Sequence, residues 1–233
     1  MRVLFLWVDK EITNGYNKRG DIMNKPSDTN PDKILLLYGL SVEILFSLSY
    51  RSHLGKTLKH NLNYFDKQEL LADLQNAVDW IDEKDCLSDI ALDYRVKSKE
   101  SIGRKFDRYY PDHQVRKVFN DLLGFRAFCD DYNDALQITG DYFKVVDISS
   151  GKSNDDGYRG VHVYFQTDNY HYPIEIQFNT LYDRQFNNWL HEYIYKKNYP
   201  NQTGKDLRKL YEYGKIRNAD EFKEAMKNVL SHS

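Results

Sequence analysis

Two short segments near the middle of the chain constrain its fold more than anything else in its 233 residues. In Val161-His-Val-Tyr-Phe-Gln166 apolar and polar side chains alternate, and in Ile174-Glu-Ile-Gln-Phe178 they alternate again. Successive side chains of a strand point to opposite faces. His162, Tyr164 and Gln166 therefore share one face, and Val161, Val163 and Phe165 the other. Glu175 and Gln177 likewise stand opposite Ile174, Ile176 and Phe178. The intervening Thr167-Asp-Asn-Tyr-His-Tyr-Pro173 reads as a hairpin connection. Asp156-Gly-Tyr-Arg-Gly160 just upstream adds an aromatic and an arginine. The polar face reads either as a site for a phosphorylated ligand or as the solvated face of an antiparallel sheet.

A sheet with one greasy face needs a covering layer, and helical patterns supply it on both sides in sequence. From Pro31 onward Ile34, Leu35, Leu37, Tyr38, Ile44, Leu45 and Leu48 form a broad apolar stripe. A second helix fits Asp66 to Glu83, with an aspartate at its start. Asp93 to Ser98 alternates like a strand and feeds a helix from about Ser98 to Tyr109. Asp121 to Cys129 reads as turn plus strand, Tyr132 to Tyr142 as helix, and Lys144 to Ile148 as a short strand. From Tyr182 the helical pattern returns, with Phe186, Trp189, Leu190, Tyr193 and Ile194 on one side. Charged helices over Lys205 to Tyr213 and Asp220 to Leu230 follow. The expected fold is α/β (α+β), a mixed five-stranded sheet flanked by N- and C-terminal helices. Residues 1–65 form an N-terminal segment, 66–200 the core domain and 201–233 the C-terminal helices.

Met1 to Val8 is apolar but too short, and too soon followed by Asp9, Lys10 and Glu11, for a signal peptide or membrane span. It suits an edge strand or a docking segment, and residues 14–32 suit a loop. Cys86 and Cys129 lack the spacing of a zinc site or disulfide framework. The chain is expected to be soluble and cytoplasmic, without a membrane partner. Its net charge of −2 argues against a globally basic nucleic-acid binder, while its 33 Lys and Arg leave room for a local basic groove. Of the 19 Tyr, most read as packing residues and one or two as stacking surfaces for a ligand.

Two clusters carry chemistry. Arg95 and Lys97 share a strand face, and Ser101 and Lys105 lie one turn apart on the following helix. Two cations and a hydroxyl beside a helix start suit a polyphosphate. A solvated amphipathic helix is the other reading. Asp121 and Glu175 each sit at a strand edge beside polar neighbours. Mg2+ takes a few carboxylates plus phosphate oxygens and waters, so two acidic groups suit a metal that also binds a nucleoside triphosphate. Alternatively they are a turn cap and an exposed glutamate. Gly124, between Asp121 and Arg126, suits a close backbone approach or bulge.

Taken together these residues resemble the synthetase domain of the RelA/SpoT family. The resemblance covers about residues 68–197 and rests on Tyr94-Arg-Val-Lys-Ser98 with Ser101 and Lys105, Asp121-Leu-Leu-Gly-Phe-Arg126, Gly157-Tyr-Arg-Gly-Val-His162, Glu175-Ile-Gln177 with Thr180, and His191. It implies a nucleotidyltransferase-like fold and transfer of the β,γ-pyrophosphate of ATP to a ribose 3′-hydroxyl, with Mg2+ and release of AMP. It implies that Arg95, Lys97, Ser101, Lys105 and Arg126 hold ATP, the two arginines flanking adenine. Asp121 and Glu175 would be the catalytic, metal-holding pair. Tyr158 would stack on the acceptor base, with His162 and Gln177 lining the acceptor pocket.

Three departures lie on the acceptor side. Asn179 stands where the family commonly has Arg, Leu190 where an acidic residue precedes the helical His, and Arg184 where small synthetases have an Asn that helps read guanine. A pocket that loses a carboxylate and an amide loses its means of reading guanine N1–H and N2–H2. The expected acceptor is therefore the 3′ CCA end of tRNA, as in the family's toxin branch, which would imply an antitoxin protein as partner. GDP or GTP, giving (p)ppGpp, is the alternative, and a catalytically inactive binding domain the third reading. A tRNA substrate calls for a basic surface beyond the pocket, for which Arg51, Lys56, Lys59, Arg184, Lys196 and Lys197 are candidates. No metal-dependent hydrolase domain is expected ahead of the synthetase, since the preceding stretch lacks a paired His-Asp motif.

Overall fold

A computed structural model describes residues 31–197 and 199–231; the Met1–Val8 segment, expected as an edge strand or a docking segment, lies outside them, as does all of the 14–32 loop but its last two residues. Five strands form one mixed sheet in the order β1-β2-β5-β4-β3. They are β1 (Asp93–Val96), β2 (Leu123–Phe128), β3 (Phe143–Asp147), β4 (Val161–Phe165) and β5 (Ile174–Asn179). β2 and β5 run parallel at the centre, and the outer pairs are antiparallel. The helices are α1 (Pro31–Leu37), α2 (Val42–Ser47), α3 (Lys67–Asp82), α4 (Lys99–Tyr109), α5 (Val115–Val118), α6 (Asn133–Leu136), α7 (Leu181–Trp189), α8 (Asn201–Glu212) and α9 (Ala219–Ser231).

The register explains how the site is made. One cross-strand row reads Arg95, Gly124, Glu175, Tyr164, Lys144, and the next Asp93, Arg126, Gln177, His162. Directly paired residues project to the same face, so every polar residue flagged on the strands lands on one surface. The opposite face carries Leu123, Phe125, Val163, Phe165, Ile176 and Phe178, and it packs under α1 and α2. Phe125, Phe165 and Phe178 are fully buried there, each contributing about 1.5–3 kcal/mol by burial. A second core joins α3, α4 and the 50–65 segment to Val115, Phe119 and Leu122, and a third joins α7, α8 and α9.

Two helices differ from expectation. The stripe from Ile34 to Leu48 is split into α1 and α2, because Gly39 adopts φ +77° and the Ser41 hydroxyl caps a new start by accepting from the Ile44 N–H at 3.1 Å. Both halves face the same sheet, so one continuous apolar pattern serves two short helices. The helix expected over Tyr132–Tyr142 is confined to Asn133–Leu136. Elsewhere the capping chemistry fixes the starts. Asp66 accepts from the Gln68 and Glu69 N–H groups to open α3, and the Thr180 hydroxyl accepts from Asp183 N–H to open α7.

Candidate active site

The turn from β1 into α4 brings the first cations to the sheet. Ser98 leaves the strand and its hydroxyl caps α4, accepting from the Ser101 N–H at 3.4 Å. Lys97 on one side of that cap and Lys105 two turns into the helix both reach Asp121, which sits just before β2. Lys105 Nζ donates to Oδ1 at 2.9 Å and Lys97 Nζ donates to Oδ2. Burial alone would raise the Asp121 carboxyl, but the two ammonium groups outweigh it and hold it below the ordinary carboxylate value. Burial dominates for Lys97 itself, whose pKa is lowered despite the Asp121 charge. Ser101 stands apart from this pair, accepting from Arg104 Nη2 at 3.0 Å.

Glu175 lies across Gly124 from Arg95 in the same row. A Cβ on Gly124 would sit 3.7 Å from Glu175 Oε2, so the glycine leaves open the floor between arginine and carboxylate. Glu175 is only 7% exposed, which removes the solvated-face reading for this end of the sheet. Its Oε1 accepts from Tyr164 Oη at 3.0 Å and lies 3.0 Å from His162 Nδ1, and its Oε2 accepts from Gln177 Nε2 at 2.7 Å. Burial pushes this carboxyl up, while His162 and Gln177 more than offset it, leaving its pKa below the usual value. Arg126 completes the surface, donating to Asp93 at 3.0 Å. Arg95, Lys97, Asp121, Gly124, Arg126, Glu175 and Gln177 line a single pocket. Five of its residues were expected to serve ATP or metal, and they are together.

The side expected to receive the acceptor is a loop. Tyr158 is half-buried, its hydroxyl 2.7 Å from His162 Nε2 and its ring 5.1 Å from Lys152 Nζ. Burial, and then the Glu175 charge, push its hydroxyl well above the ordinary pKa, so it stays protonated. The loop is tied down by buried amides: Arg159 accepts at its carbonyl from Asn187 Nδ2 at 2.7 Å and from Asn179 Nδ2 at 3.0 Å. Asn179 is thus committed to loop architecture. A Cβ on Gly160 would lie 2.6 Å from Asn179 Nδ2 and 3.1 Å from Tyr158 Oη, so only glycine fits there.

Arg184, expected both at the guanine-reading position and among the basic candidates for RNA contact, lies within electrostatic reach of Arg126 and Tyr158. It is half-buried on the first turns of α7, its side chain makes no hydrogen bond or ion pair among the described residues, and its pKa is lowered by burial and then by neighbouring Arg126. His191 is lowered by burial and then by Lys196, Arg95, Arg126 and Arg184. Arg95, Arg126, Arg184 and Lys196 therefore form one positive wall, which together with burial favours the neutral form of His191 beside it. Lys196 and Lys197 are exposed on the Tyr195–Lys197 turn beside it. Of the other basic candidates, Arg51 is 3.8 Å from Asp168 at the far end of the sheet and Lys56 donates to the Tyr64 carbonyl at 2.8 Å. Leu190 is fully buried in the α7–α9 core.

Tyr164, Asn187, Gly204 and Arg208 were not singled out as site residues. Tyr164 was visible in the alternation. Gly204, inside a helix where glycine costs about 1 kcal/mol relative to alanine, carried a signal of its own.

Residues 94–200 match the family model described as the region found in RelA / SpoT proteins. This chain carries a RelA/SpoT domain. Among solved structures it is similar to small alarmone synthetase 1 from Bacillus subtilis bound to its product pppGpp, with 24% identity over 72% of this chain and 98% of that one, at a TM-score of 0.42. It is similar to small alarmone synthetase 2 from the same organism, at 22% identity over 72% of this chain and 100% of the other, TM-score 0.40. A GTP pyrophosphokinase family protein from Streptococcus pneumoniae gives 17% identity over 70% and 86%, TM-score 0.35. No curated protein matches the chain.

Proposed function

We propose that this RelA/SpoT domain is a pyrophosphokinase, transferring the β,γ-pyrophosphate of ATP to a ribose 3′-hydroxyl. The observation that carries the reading is the meeting of Arg95, Lys97, Lys105 and Arg126 with Asp121 and Glu175 on one sheet face, beside Tyr158 and His162. The acceptor oxygen attacks the β-phosphorus and AMP leaves, so the protein has little covalent chemistry to perform. Its work is positioning and charge stabilisation. Arg95 and Arg126 flank the adenine. Lys97 and Lys105 face the polyphosphate, Tyr158 stacks on the acceptor base, and His162 and Gln177 hold the acceptor side of Glu175.

Asp121 and Glu175 are hard oxygen donors, both held in the ionised form, which fits Mg2+ bound between two carboxylates and substrate phosphates. When bound, that ion neutralises charge developing on the transferred group.

For the acceptor we favour the 3′ CCA end of tRNA, as expected of a translation-inhibiting toxin held by an antitoxin. Arg184 offers no hydrogen-bond acceptor to guanine N1–H and N2–H2, because its side chain carries donors only, and Leu190 is withdrawn into the α7–α9 core. GDP or GTP is the alternative, supported by the resemblance to small alarmone synthetases. Incubation with γ-labelled ATP and either deacylated tRNA, GDP or GTP tests all three readings. Label in tRNA is the expected result, label in ppGpp or pppGpp alone moves the acceptor to guanine nucleotide, and no label anywhere leaves a binding domain.

A further inference from the structure

We propose that helix α8, which lies beyond residues 94–200, sets the position of the acceptor ring, with Gly204 as the positioning residue. The proposal rests on Tyr158 being the residue that receives the acceptor base.

Three elements hold the loop that carries Tyr158. The sheet holds it through Asn179 and α7 through Asn187, both by side-chain amides on Arg159. Those contacts can adjust by a rotamer. The third contact is backbone on backbone and cannot. Gly157, at φ +86°, and Gly204 face each other so closely that a Cβ on Gly204 would overlap the Asp156 carbonyl oxygen, and one on Gly157 would overlap the Gly204 carbonyl oxygen. Glycine in a helix interior lowers helix stability, and here close approach is the compensation. The seat of α8 is firm. Arg208 is ion-paired with buried Asp183 of α7, and the hydroxyls of Tyr182 and Tyr211 donate to each other's carbonyl oxygens at 3.1 and 3.0 Å. The Tyr195 hydroxyl, just before α8, has its pKa raised by burial and then by the charge of the Asp156 carboxylate close to it. Any outward step of α8 therefore moves Asp156 and, two residues on, Tyr158.

Gly204→Ala tests this. The methyl pushes the Asp156 carbonyl away, and acceptor kcat/KM falls about 10- to 100-fold with the KM for ATP unchanged, as misplacement of a substrate-orienting group does. Hydrogen exchange should rise at the amides of residues 157–160 and stay constant in β2. Met226→Ala, a core truncation in α9 away from the loop, should lower the melting temperature and leave the acceptor KM unchanged at temperatures where it is folded. If Gly204→Ala does not fold, Tyr195→Phe decides by the same split, with a smaller rise in acceptor KM. A wild-type acceptor kcat/KM in the folded variant, or an equal fall in Met226→Ala, overturns the proposal. If the wild type labels no acceptor, the assigned reaction fails, and the exchange readout still decides whether α8 positions the loop.

Discussion

Glu175→Gln is the sharpest test of the chemistry, because it removes a charge and almost nothing else. Three donors converge on the carboxylate, from Tyr164 and His162 at Oε1 and from Gln177 at Oε2. A glutamine can point its oxygen at Gln177 and its N–H2 at the other pair. The Tyr164 hydroxyl can rotate to accept, and so can a ring nitrogen of His162 that carries no proton. The fold should then lose about 1–2 kcal/mol, lowering the melting temperature by about 2–8 °C for a chain of this size. Transfer should suffer far more. Without the second carboxylate the site loses about 3–5 kcal/mol of transition-state stabilisation, which is about a hundredfold to a few thousandfold in rate. Single-turnover transfer from labelled ATP at saturating Mg2+, alongside calorimetry, separates the two effects. Tyr164→Phe is the control, since it deletes one donor and keeps the charge, and it should cost less than about tenfold. A Glu175→Gln rate within tenfold of wild type would falsify the metal-holding assignment, as would a Tyr164→Phe variant equally impaired.

Arg95→Ala should raise the KM for ATP and leave that for the acceptor unchanged, and steady-state kinetics showing the reverse would exchange the two sites. Tyr158→Ala should weaken acceptor binding by about 1–3 kcal/mol, the worth of base stacking, while Tyr158→Phe keeps most of it; equal affinities in a binding titration would reduce Tyr158 to a packing residue. Arg208→Met leaves Asp183 buried with the Tyr132 and Thr180 hydroxyls but no counter-charge, so the protein should lose about 3–5 kcal/mol, read as a lowered urea midpoint, and Asp183→Asn in the same chain should recover part of it. Replacing Lys196 and Lys197 together by Ala should weaken tRNA modification and flatten its salt dependence without changing ATP binding; an unchanged salt slope argues against tRNA contact at that turn.

The strand faces were legible because their information is local. Period-two alternation in Val161–Gln166 and Ile174–Phe178 fixes which side chains share a surface, whatever the rest of the chain does. The same holds for the starts of α3 and α4, where Asp66 and Ser98 announce themselves as caps. The sequence could not tell a solvated polar face from a buried one, because Ile-Glu-Ile-Gln-Phe reads alike in both; the 7% exposure of Glu175 is set by β4 and the loop packed against it. The break at Gly39 was hidden because α1 and α2 present their apolar residues to the same sheet. Gly204, Asn187 and Arg208 were hidden for another reason. Each acts across at least 25 residues of chain on a partner whose identity only the fold supplies.

The balance of charge on the polar face argues for what it receives. Arg95, Arg126, Arg184, His191 and Lys196 stand within electrostatic reach of one another, and Asp93 is the carboxylate paired among them. A half-buried guanidinium without a counter-ion, as at Arg184, is costly to keep in water-poor surroundings, and an incoming anion relieves that cost. The other two carboxylates are differently placed. Asp121 is held by Lys97 and Lys105, and Glu175 by Tyr164, His162 and Gln177. If Asp121 takes a cation, both lysines are freed to meet phosphate oxygens at the same spot. The Lys97–Lys105–Asp121 cluster with Glu175 thus balances its charges at rest and would become a polyphosphate clamp when metal and nucleotide arrive together, whereas the wall of Arg95, Arg126, Arg184 and Lys196 keeps an excess of positive charge. A permanent positive wall beside Tyr158 suits an acceptor that carries phosphate on the 5′ side of its ribose, as the 3′ end of an RNA and a guanine nucleotide both do, and it disfavours a bare nucleoside.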